Sequence, residues 1–373
     1  MKLAIVHDYL NQLGGAERVV GTFHQLFPEA PIYTSILDKK KLWPSLTDAN
    51  IITTFMQHMP GIERHFKKYL LLYPLAFESL DLSDYDLVIS SSSAFAKGAI
   101  TRPGAVHVCY CHTPMRFVWD YERYIEREQF GSMIRLFLPT VINSLRSWDL
   151  RTRHRPTHYV ANSTVVAGRI KAFYGIDAEV IFPPVETHRF SLSEEDDEYF
   201  LIVSRLNPYK RIDLVIEAFN ELGYPLVIIG DGPDKPILQK KARSNIRFLG
   251  RQPDHVVASY YSKCRALLFP GEEDFGITPL EANAAGRPVI AYHAGGALDT
   301  IIEGETGVYF HLQTVSSLVE SIRRFESYAW DKQQIRDHAE RFSEAVFKRN
   351  FSDYLGRVLP SSANCLGTVL SRG

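Results

Sequence analysis

Short apolar runs alternate with longer amphipathic segments along the first half of the chain. The first run, at 3–6, ends at a His-Asp pair and is followed by two glycines and then by apolar residues at helical spacing. Similar runs lie at 87–89, 105–110 and 158–161. A repeated succession of strand, loop and helix predicts a parallel sheet covered by helices.

The second half repeats this alternation after a change in composition. Residues 182–198 contain two prolines and an acidic cluster without apolar periodicity, which predicts a linker. Strand-like runs follow at 200–204, 225–230, 246–250, 266–270 and 287–291, and 315–359 has a helical pattern. We therefore predict two Rossmann-like α/β/α domains. The first spans residues 1–182 with a C-terminal helix at about 343–373 packed back on it, and the second spans 183–342.

Composition narrows the function classes. A length of 373 residues exceeds what one hydrophobic core usually serves, and a formal net charge of −1 disfavours nucleic-acid binding. The four cysteines are sparse and unpatterned, which fits a reducing compartment. The first residues lack the apolar core of a signal peptide, and no apolar run approaches transmembrane length, so we expect a cytoplasmic protein.

Two cations flank a turn in the stretch VSRLNPYKRIDLVIEAF. Arg205 lies just past a predicted strand and Lys210 just before a predicted helix. Ligands of open α/β sheets bind where the strands end, so both side chains can face one crevice and neutralise a diphosphate there. The alternative is a pair of solvated surface cations.

Two glutamates are separated by seven residues in GEEDFGITPLEANAAGRPVIA. Between Glu273 and Glu281 lies a glycine turn in which Gly276 and Ile277 can offer backbone N–H groups. Glu281 can accept hydrogen bonds from a ribose diol, which suits a nucleotide ligand. Either glutamate alone could instead be a solvated acid near a helix N-terminus.

Two features of the first domain also fall where strands end. Gly15, in the loop between the first strand and helix, can bring a backbone N–H group to an anion, although the loop lacks the G-x-G-x-x-G dinucleotide fingerprint. His112 ends the run VHVCYC and is either a catalytic or sugar-contacting residue or an ordinary edge histidine. Its Cys-x-Cys-His context lacks a second ligand group, so we expect buried thiols and no metal.

Several motifs together resemble a known family. GGAER, SRLNPYKRIDLVIEAF, GDGP and EEDFGITPLEANAAGRPVI are similar to the retaining glycosyltransferase family 4, whose GT-B fold has two Rossmann-like domains facing a central cleft. HTPMRFVWD and NSTVVAGRIKAFYG resemble a bacterial branch that includes mannosyltransferases of O-antigen and exopolysaccharide assembly.

The resemblance implies roles at the matching positions. Glu273 and His112 would act beside the transferred sugar, and Arg205 with Lys210 would hold the donor diphosphate. Gly15 would approach the same diphosphate. The remaining donor-binding residues would be Leu249 and Gly250 near the nucleobase, Phe275, Gly276 and Ile277 in the turn, and Glu281 on the ribose.

The resemblance also implies a reaction. A sugar, with mannose from GDP-mannose favoured by the branch, would pass with retained α-configuration to a lipid-linked or saccharide acceptor, without a metal or cofactor. Asp84-Tyr85-Asp86 resembles a D-x-D metal motif, but it precedes a strand and predicts a turn. Two alternatives stay open: a nucleotide-sugar 2-epimerase of the same fold and a non-catalytic sugar-nucleotide-binding protein.

A basic, apolar stretch suggests a membrane contact. Residues 61–77, GIERHFKKYLLLYPLAF, combine three cations with leucines and aromatics, which predicts an amphipathic helix lying on the inner face of an anionic membrane. A helix packed on the core with its cations in water is the alternative.

Overall fold

The computed structural model describes residues 1–120, 132–195 and 197–360. These form two compact units. The first contains the described residues of Met1–Pro184 and those from Phe347 to residue 360, and the second contains the described residues of Val185–Val346.

The first unit is built on a sheet of parallel strands. Its strands are β1 (Leu3–His7), β2 (Ile32–Thr34), β3 (Ile51–Thr53), β4 (Leu87–Ser92), β5 (Val106–Cys111), β6 (His158–Ala161) and β7 (Glu179–Val180). Among the described residues their order is β3-β2-β1-β4-β5-β6-β7. The direction of winding therefore reverses between β1 and β4, which is the switch point where such sheets bind ligands.

Helices connect these strands. The α-helices are α1 (Gly15–Leu26), α2 (Ile62–His65), α3 (Tyr73–Glu78), α4 (Arg116–Trp119), α5 (Ser132–Thr152) and α6 (Thr164–Tyr174). Short 3-10 helices cover Lys39–Lys41, Pro44–Leu46, Phe55–His58, Phe66–Leu72 and Ala96–Gly98. The carboxylate of Asp8, just past β1, accepts the backbone N–H groups of residues 93–96, so it joins the ends of β1 and β4.

The second unit repeats this architecture. Its strands are β8 (Phe200–Val203), β9 (Leu226–Ile229), β10 (Ile246–Gly250), β11 (Leu267–Phe269), β12 (Val289–Tyr292) and β13 (Gly307–Phe310). They are parallel in the order β10-β9-β8-β11-β12-β13, so the switch point lies between β8 and β11. The helices are α7 (Ile212–Leu222), α8 (Lys235–Lys241), α9 (Asp254–Lys263), α10 (Ile277–Ala284), α11 (Ala297–Thr300), α12 (Val315–Phe325) and α13 (Lys332–Glu340), with 3-10 helices at Thr187–Arg189 and Pro208–Lys210.

The chain returns to the first unit through α14 (Glu344–Val358). Phe347 and Phe351 of this helix are buried against Phe23 of α1 and Tyr110 of β5. The prediction of a C-terminal helix packed on the first domain is thus confirmed up to residue 360. The later part of the predicted segment, with Cys365, lies outside the described residues.

The predicted single helix at 61–77 is wrong. The segment contains α2, the 3-10 helix Phe66–Leu72 and α3, and Tyr69 departs from helical geometry with φ −93° and ψ 20°. Pro74 lies in the first turn of α3 and has no N–H group, so an α-helix cannot continue through it without losing a hydrogen bond. The sequence also failed to predict β2, β3, β7 and β13.

Candidate functional site

Two predicted site residues meet where β8 and β11 end. Lys210 closes the 3-10 helix after β8, and Glu273 follows β11. The Nζ atom of Lys210 contacts Oε1 of Glu273, with 13% of the lysine side chain and 23% of the glutamate side chain exposed. We call this contact the Lys210–Glu273 pair. It lies at the switch point of the second sheet.

The charge of Lys210 is maintained by its surroundings. Burial alone would lower the pKa of Lys210, but the Glu273 carboxylate, together with Tyr209, more than offsets this effect, so the pKa lies above its usual value. The positive charge of Arg205 lowers the pKa of Lys210, so the two cations are electrostatically coupled. Arg205 itself is exposed. The cluster of two cations and one carboxylate therefore carries net positive charge.

Glycines allow three loops to approach one another closely. A Cβ atom on Gly271 would lie 3.0 Å from the Lys210 Cα atom. On Gly295, which has φ +65°, a Cβ atom would lie 2.3 Å from the Glu273 carbonyl oxygen, and the N–H group of Gly296 donates to that oxygen at 2.9 Å. The loop after β12 thus fixes the backbone of Glu273. Sequence reasoning missed this loop, although a glycine pair just past a strand-like run was its signal.

The turn between the two glutamates begins α10. Gly276 has φ +88°, and a Cβ atom there would lie 2.7 Å from the Phe269 ring, so close packing and conformation both require glycine. Phe275 is buried with its ring 6.2 Å from that of Phe342. Ile277 is the first residue of α10, so its N–H group has no acceptor within the helix and is oriented to bind an anion or a carbonyl oxygen.

Glu281 is held inside the second unit by a tyrosine. Its side chain lies on α10 and is 7% exposed, and the hydroxyl of Tyr261 donates to Oε2 at 3.0 Å. Tyr261, on α9, is itself completely buried. Sequence reasoning missed Tyr261 because a tyrosine among apolar residues at helical spacing reads as an ordinary core residue.

Leu249 and Gly250 lie at the end of β10, two strands away from β8. Gly250 has φ +69°, and its carbonyl oxygen accepts the N–H group of Gly230 at 2.9 Å. Gln252 donates to the carbonyl oxygen of Leu249 at 2.6 Å. Both residues therefore lie at the same edge of the sheet as the Lys210–Glu273 pair, but at the end of a different strand.

The first unit presents two predicted residues at its own switch-point edge. Gly15 is exposed as the first residue of α1, just after β1. His112, just past β5, is 8% exposed, and its Nε2 atom lies 2.7 Å from Oγ of Ser91. Burial, assisted by the charge of His7, lowers the pKa of His112 to about 3, so the ring is neutral near pH 7.

Other predictions concern features outside these clusters. Cys109 and Cys111 are buried free thiols, as expected, and Cys264 is also free and buried. Asp84 pairs with Lys2, and Asp86 pairs with Arg102, in the turn and bend that precede β4. Over the described ranges, no cluster of three metal-ligating side chains is present, and no helix is both long and apolar enough to cross a membrane.

Residues 185–349 match the family described as glycosyl transferases group 1. This match covers most of the second unit and less than half of the chain. Over 233 residues the chain is 28% identical to D-rhamnosyltransferase WbpZ of Pseudomonas aeruginosa, covering 59% of this chain and 60% of WbpZ. Over 194 residues it is 28% identical to O-antigen chain mannosyltransferase RfbU of Salmonella typhimurium, covering 47% and 55%. The match thus spans less than two thirds of either relative.

Solved structures show the same fold over nearly the whole chain. The apo form of lipopolysaccharide outer core galactosyltransferase WaaB aligns with a TM-score of 0.67 at 20% identity, covering 96% of this chain and all of WaaB. HepE of Anabaena in complex with UDP-glucose aligns with a TM-score of 0.67 at 16% identity and the same coverage of both chains. The predicted GT-B fold class is confirmed.

Proposed function

We propose that this protein is a retaining glycosyltransferase that moves a sugar from a nucleotide sugar to a lipid-linked or saccharide acceptor in cell-surface polysaccharide synthesis. The observation that carries the proposal is the Lys210–Glu273 pair, coupled to Arg205, at the switch point of a unit that matches the model of the group 1 glycosyltransferases. A positive cluster at this position suits a diphosphate.

Arg205 and Lys210 would bind the donor diphosphate. The planar guanidinium can engage two phosphate oxygens, while the ammonium group acts as a point charge. Negative charge grows on the diphosphate as its bond to the sugar breaks, so both cations stabilise the transition state more than the bound donor. The N–H groups of Gly15 and of Gly276 and Ile277 would add to this stabilisation. Because the side chains supply the countercharge, we propose that the reaction needs no metal or other cofactor.

Glu281 would bind the ribose and Glu273 the transferred sugar. The hydroxyl of Tyr261 holds the Glu281 carboxylate in place, so the ribose diol meets an acceptor that is already oriented. Because Glu273 contacts Lys210, it would lie near a sugar attached to the diphosphate, where it would orient hydroxyls and moderate positive charge on the ring. Leu249 and Gly250 would contact the nucleobase, Phe275 would support the turn, and His112 would contact the donor sugar.

In the proposed reaction, the acceptor hydroxyl attacks the anomeric carbon from the face that the leaving group occupies. The new C–O bond forms as the bond from the anomeric carbon to the phosphate oxygen breaks, and that oxygen takes the proton of the acceptor. The sugar keeps its α-configuration. No side chain forms a covalent bond, so the contribution of the protein is orientation and electrostatic stabilisation.

Mannose from GDP-mannose is the proposed donor. Its support is the resemblance of HTPMRFVWD and NSTVVAGRIKAFYG to mannosyltransferases and the similarity to RfbU, which is named as an O-antigen chain mannosyltransferase.

We further propose that residues 61–77 bind the inner face of an anionic membrane. Leu71 and Leu75 are 52% and 57% exposed, and Lys67 and Lys68 are exposed beside them. The break of the segment into short helices leaves this combination of apolar and cationic side chains on the surface. Apolar insertion together with attraction to anionic headgroups would place a cytoplasmic enzyme next to a lipid-linked acceptor.

The proposal is tested with purified protein and a panel of GDP-mannose, UDP-glucose, UDP-N-acetylglucosamine and UDP-galactose. Binding and slow hydrolysis identify the donor, and lipid or saccharide extracts then supply the acceptor. We expect GDP-mannose to be consumed with formation of an α-mannosyl product, unaffected by EDTA. Release of a 2-epimerised sugar without acceptor, or binding without any turnover, contradicts the proposal and identifies an epimerase or a non-catalytic binding protein, respectively.

A further inference from the structure

Three neighbouring strand ends in the first unit carry a chain of hydrogen-bonded side chains. His7 ends β1, Ser91 lies near the end of β4, and His112 follows β5. The Nδ1 atom of His7 lies 3.0 Å from the carbonyl oxygen of Ser91 and 3.1 Å from its Oγ atom. The same Oγ atom lies 2.7 Å from Nε2 of His112. His7 and Ser91 are 2% and 0% exposed.

The chemistry of the acceptors fixes the direction of these bonds. A carbonyl oxygen only accepts, so Nδ1 of His7 carries a proton and donates to Ser91. The hydroxyl proton of Ser91 then needs an acceptor. Among the contacts of this side chain with the described residues, Nε2 of His112 is the remaining one that can serve. Protonation of His112 at Nε2 would leave a fully buried hydroxyl proton without an acceptor, which is costly.

We propose that Ser91 is a positioning residue that holds neutral His112 with its proton on Nδ1, so that His112 presents an N–H donor to an oxygen of the bound sugar. This proposal rests on the function proposed above, in which His112 contacts the donor sugar. No hydrogen bond joins Nδ1 of His112 to another described residue, and the ring keeps 8% exposure, so this nitrogen can meet a ligand.

A fixed N–H group has two consequences for a sugar ligand. It can only donate, so it selects a lone pair on a hydroxyl oxygen and directs the proton of that hydroxyl elsewhere. A neutral donor also avoids repulsion with a sugar that becomes cationic during transfer. The low pKa of His112, about 3, keeps the ring neutral throughout the physiological range and supports this assignment.

The tautomer can be read directly by NMR. In the full-length protein labelled with ¹⁵N-histidine, long-range correlations distinguish a ring protonated at Nδ1 from one protonated at Nε2, and a His112→Asn variant assigns the signals. We expect His112 of the wild-type protein to carry its proton on Nδ1. Ser91→Ala should shift the population toward Nε2–H, and Ser91→Thr, which keeps the hydroxyl, should restore the wild-type pattern.

A matched control lies next to Ser91 on the same strand. Oγ of Ser90 is 2.8 Å from Nε2 of His107, and both residues are completely buried. Ser90→Ala removes the same kind of bond and should leave the His112 signals unchanged. Sugar transfer by Ser91→Ala should show a kcat/KM about three- to tenfold lower, the loss expected for one hydrogen bond, with recovery in Ser91→Thr.

A His112 ring protonated at Nε2 in the wild-type protein overturns the inference, even if Ser91→Ala proves unable to fold. An unchanged His112 signal in folded Ser91→Ala overturns it as well. A changed tautomer with unaltered transfer upholds the role of Ser91 and overturns the contact of His112 with the sugar. If the wild-type protein has the expected His112 tautomer but transfers no sugar, this result would instead contradict the proposed function.

Discussion

The ammonium group of Lys210 and the carboxylate of Glu273 form an ion pair across the gap between the loops that follow β8 and β11. The two residues are far apart in sequence and come together because β8 and β11 are neighbours in the sheet. Glu273 keeps the lysine charged despite its burial, so a cation is already in position before any anionic ligand arrives.

Replacing Glu273 by glutamine should make protein stability depend differently on pH. The folded-state pKa of Lys210 lies above its ordinary value of 10.5. The resulting stabilisation is therefore complete below about pH 10.5 and is lost as the pH rises through the folded-state pKa. Wild type should exceed Glu273→Gln by about 1 kcal/mol in free energy of unfolding at pH 8, and by less above pH 10.5. Urea denaturation at both pH values measures this difference.

The exposed Glu221, on α7, provides the control, because Glu221→Gln should leave the free energy of unfolding nearly unchanged at both pH values. A difference between wild type and Glu273→Gln that stays constant up to pH 11.5 would show that the ion pair does not raise the pKa of Lys210.

Tyr261→Phe should weaken nucleotide binding without slowing turnover. The variant loses the hydroxyl that donates to Glu281, so the carboxylate is less well oriented for a ribose diol. We expect about fivefold lower affinity for the nucleoside diphosphate and an unchanged kcat at saturating donor. Tyr260→Phe, on the same helix, is the control and should bind like wild type. Equal affinities of the two variants for the nucleoside diphosphate would contradict the proposed contact between Glu281 and the ribose.

Gly295→Ala should damage activity more than the same substitution at another glycine of similar backbone conformation. Gly295 and Gly223 have φ values of +65° and +72°, but a Cβ atom would approach the Glu273 carbonyl oxygen to 2.3 Å at Gly295 and meet nothing within 4 Å at Gly223. The positive φ alone should make each substitution cost roughly 1–3 kcal/mol of stability, and Gly295→Ala should cost more because its Cβ atom also clashes with the Glu273 carbonyl oxygen. Only Gly295→Ala should also move Glu273 and lower the transfer rate, by about tenfold or more. Comparable transfer rates in the two folded variants would rule out this role for the loop.

Charge reversal at Lys67 and Lys68 should weaken membrane binding. Glutamates beside the exposed Leu71 and Leu75 would be repelled by anionic headgroups, and each reversal removes about 1 kcal/mol of attraction or more. Co-sedimentation with vesicles containing anionic lipid measures the effect. Reversing Lys39 and Lys40, which are also exposed in the first unit, makes the same change in net charge and should have a smaller effect. Unchanged binding of the Lys67 and Lys68 variant would refute the proposed contact.

The sequence predicted the strands that are mainly apolar. The strands β1, β4, β5, β6 and β8 to β12 were all located because each is a mainly apolar run bounded by polar or turn residues. The missed strands are short or atypical: β2 and β3 have three residues each, β7 has two, and β13 begins with a glycine. In such segments the pairing with neighbours, rather than local pattern, decides the structure.

The sequence singled out individual candidate residues but not the contacts between them. Arg205, Lys210 and Glu273 were chosen because charged groups next to turns at strand ends are typical of ligand sites, and their roles stay predictions. The Lys210–Glu273 pair depends on strand order and on close approach at Gly271, neither of which a local pattern reveals. The bond from Tyr261 to Glu281 and the chain through Ser91 join residues on separate elements in the same way.

A calorimetric titration of GDP-mannose and the UDP-sugars into wild type and Lys210→Ala tests whether Lys210 binds the donor diphosphate. Lys241→Ala, which removes an exposed cation paired with Glu217 on the same unit, serves as the charge-matched control. Wild type and Lys241→Ala should bind the same donor equally, while Lys210→Ala should bind it at least tenfold more weakly, because a charge-assisted contact with the diphosphate is lost. Equal affinity of Lys210→Ala and wild type would contradict the assignment of this site to the donor diphosphate.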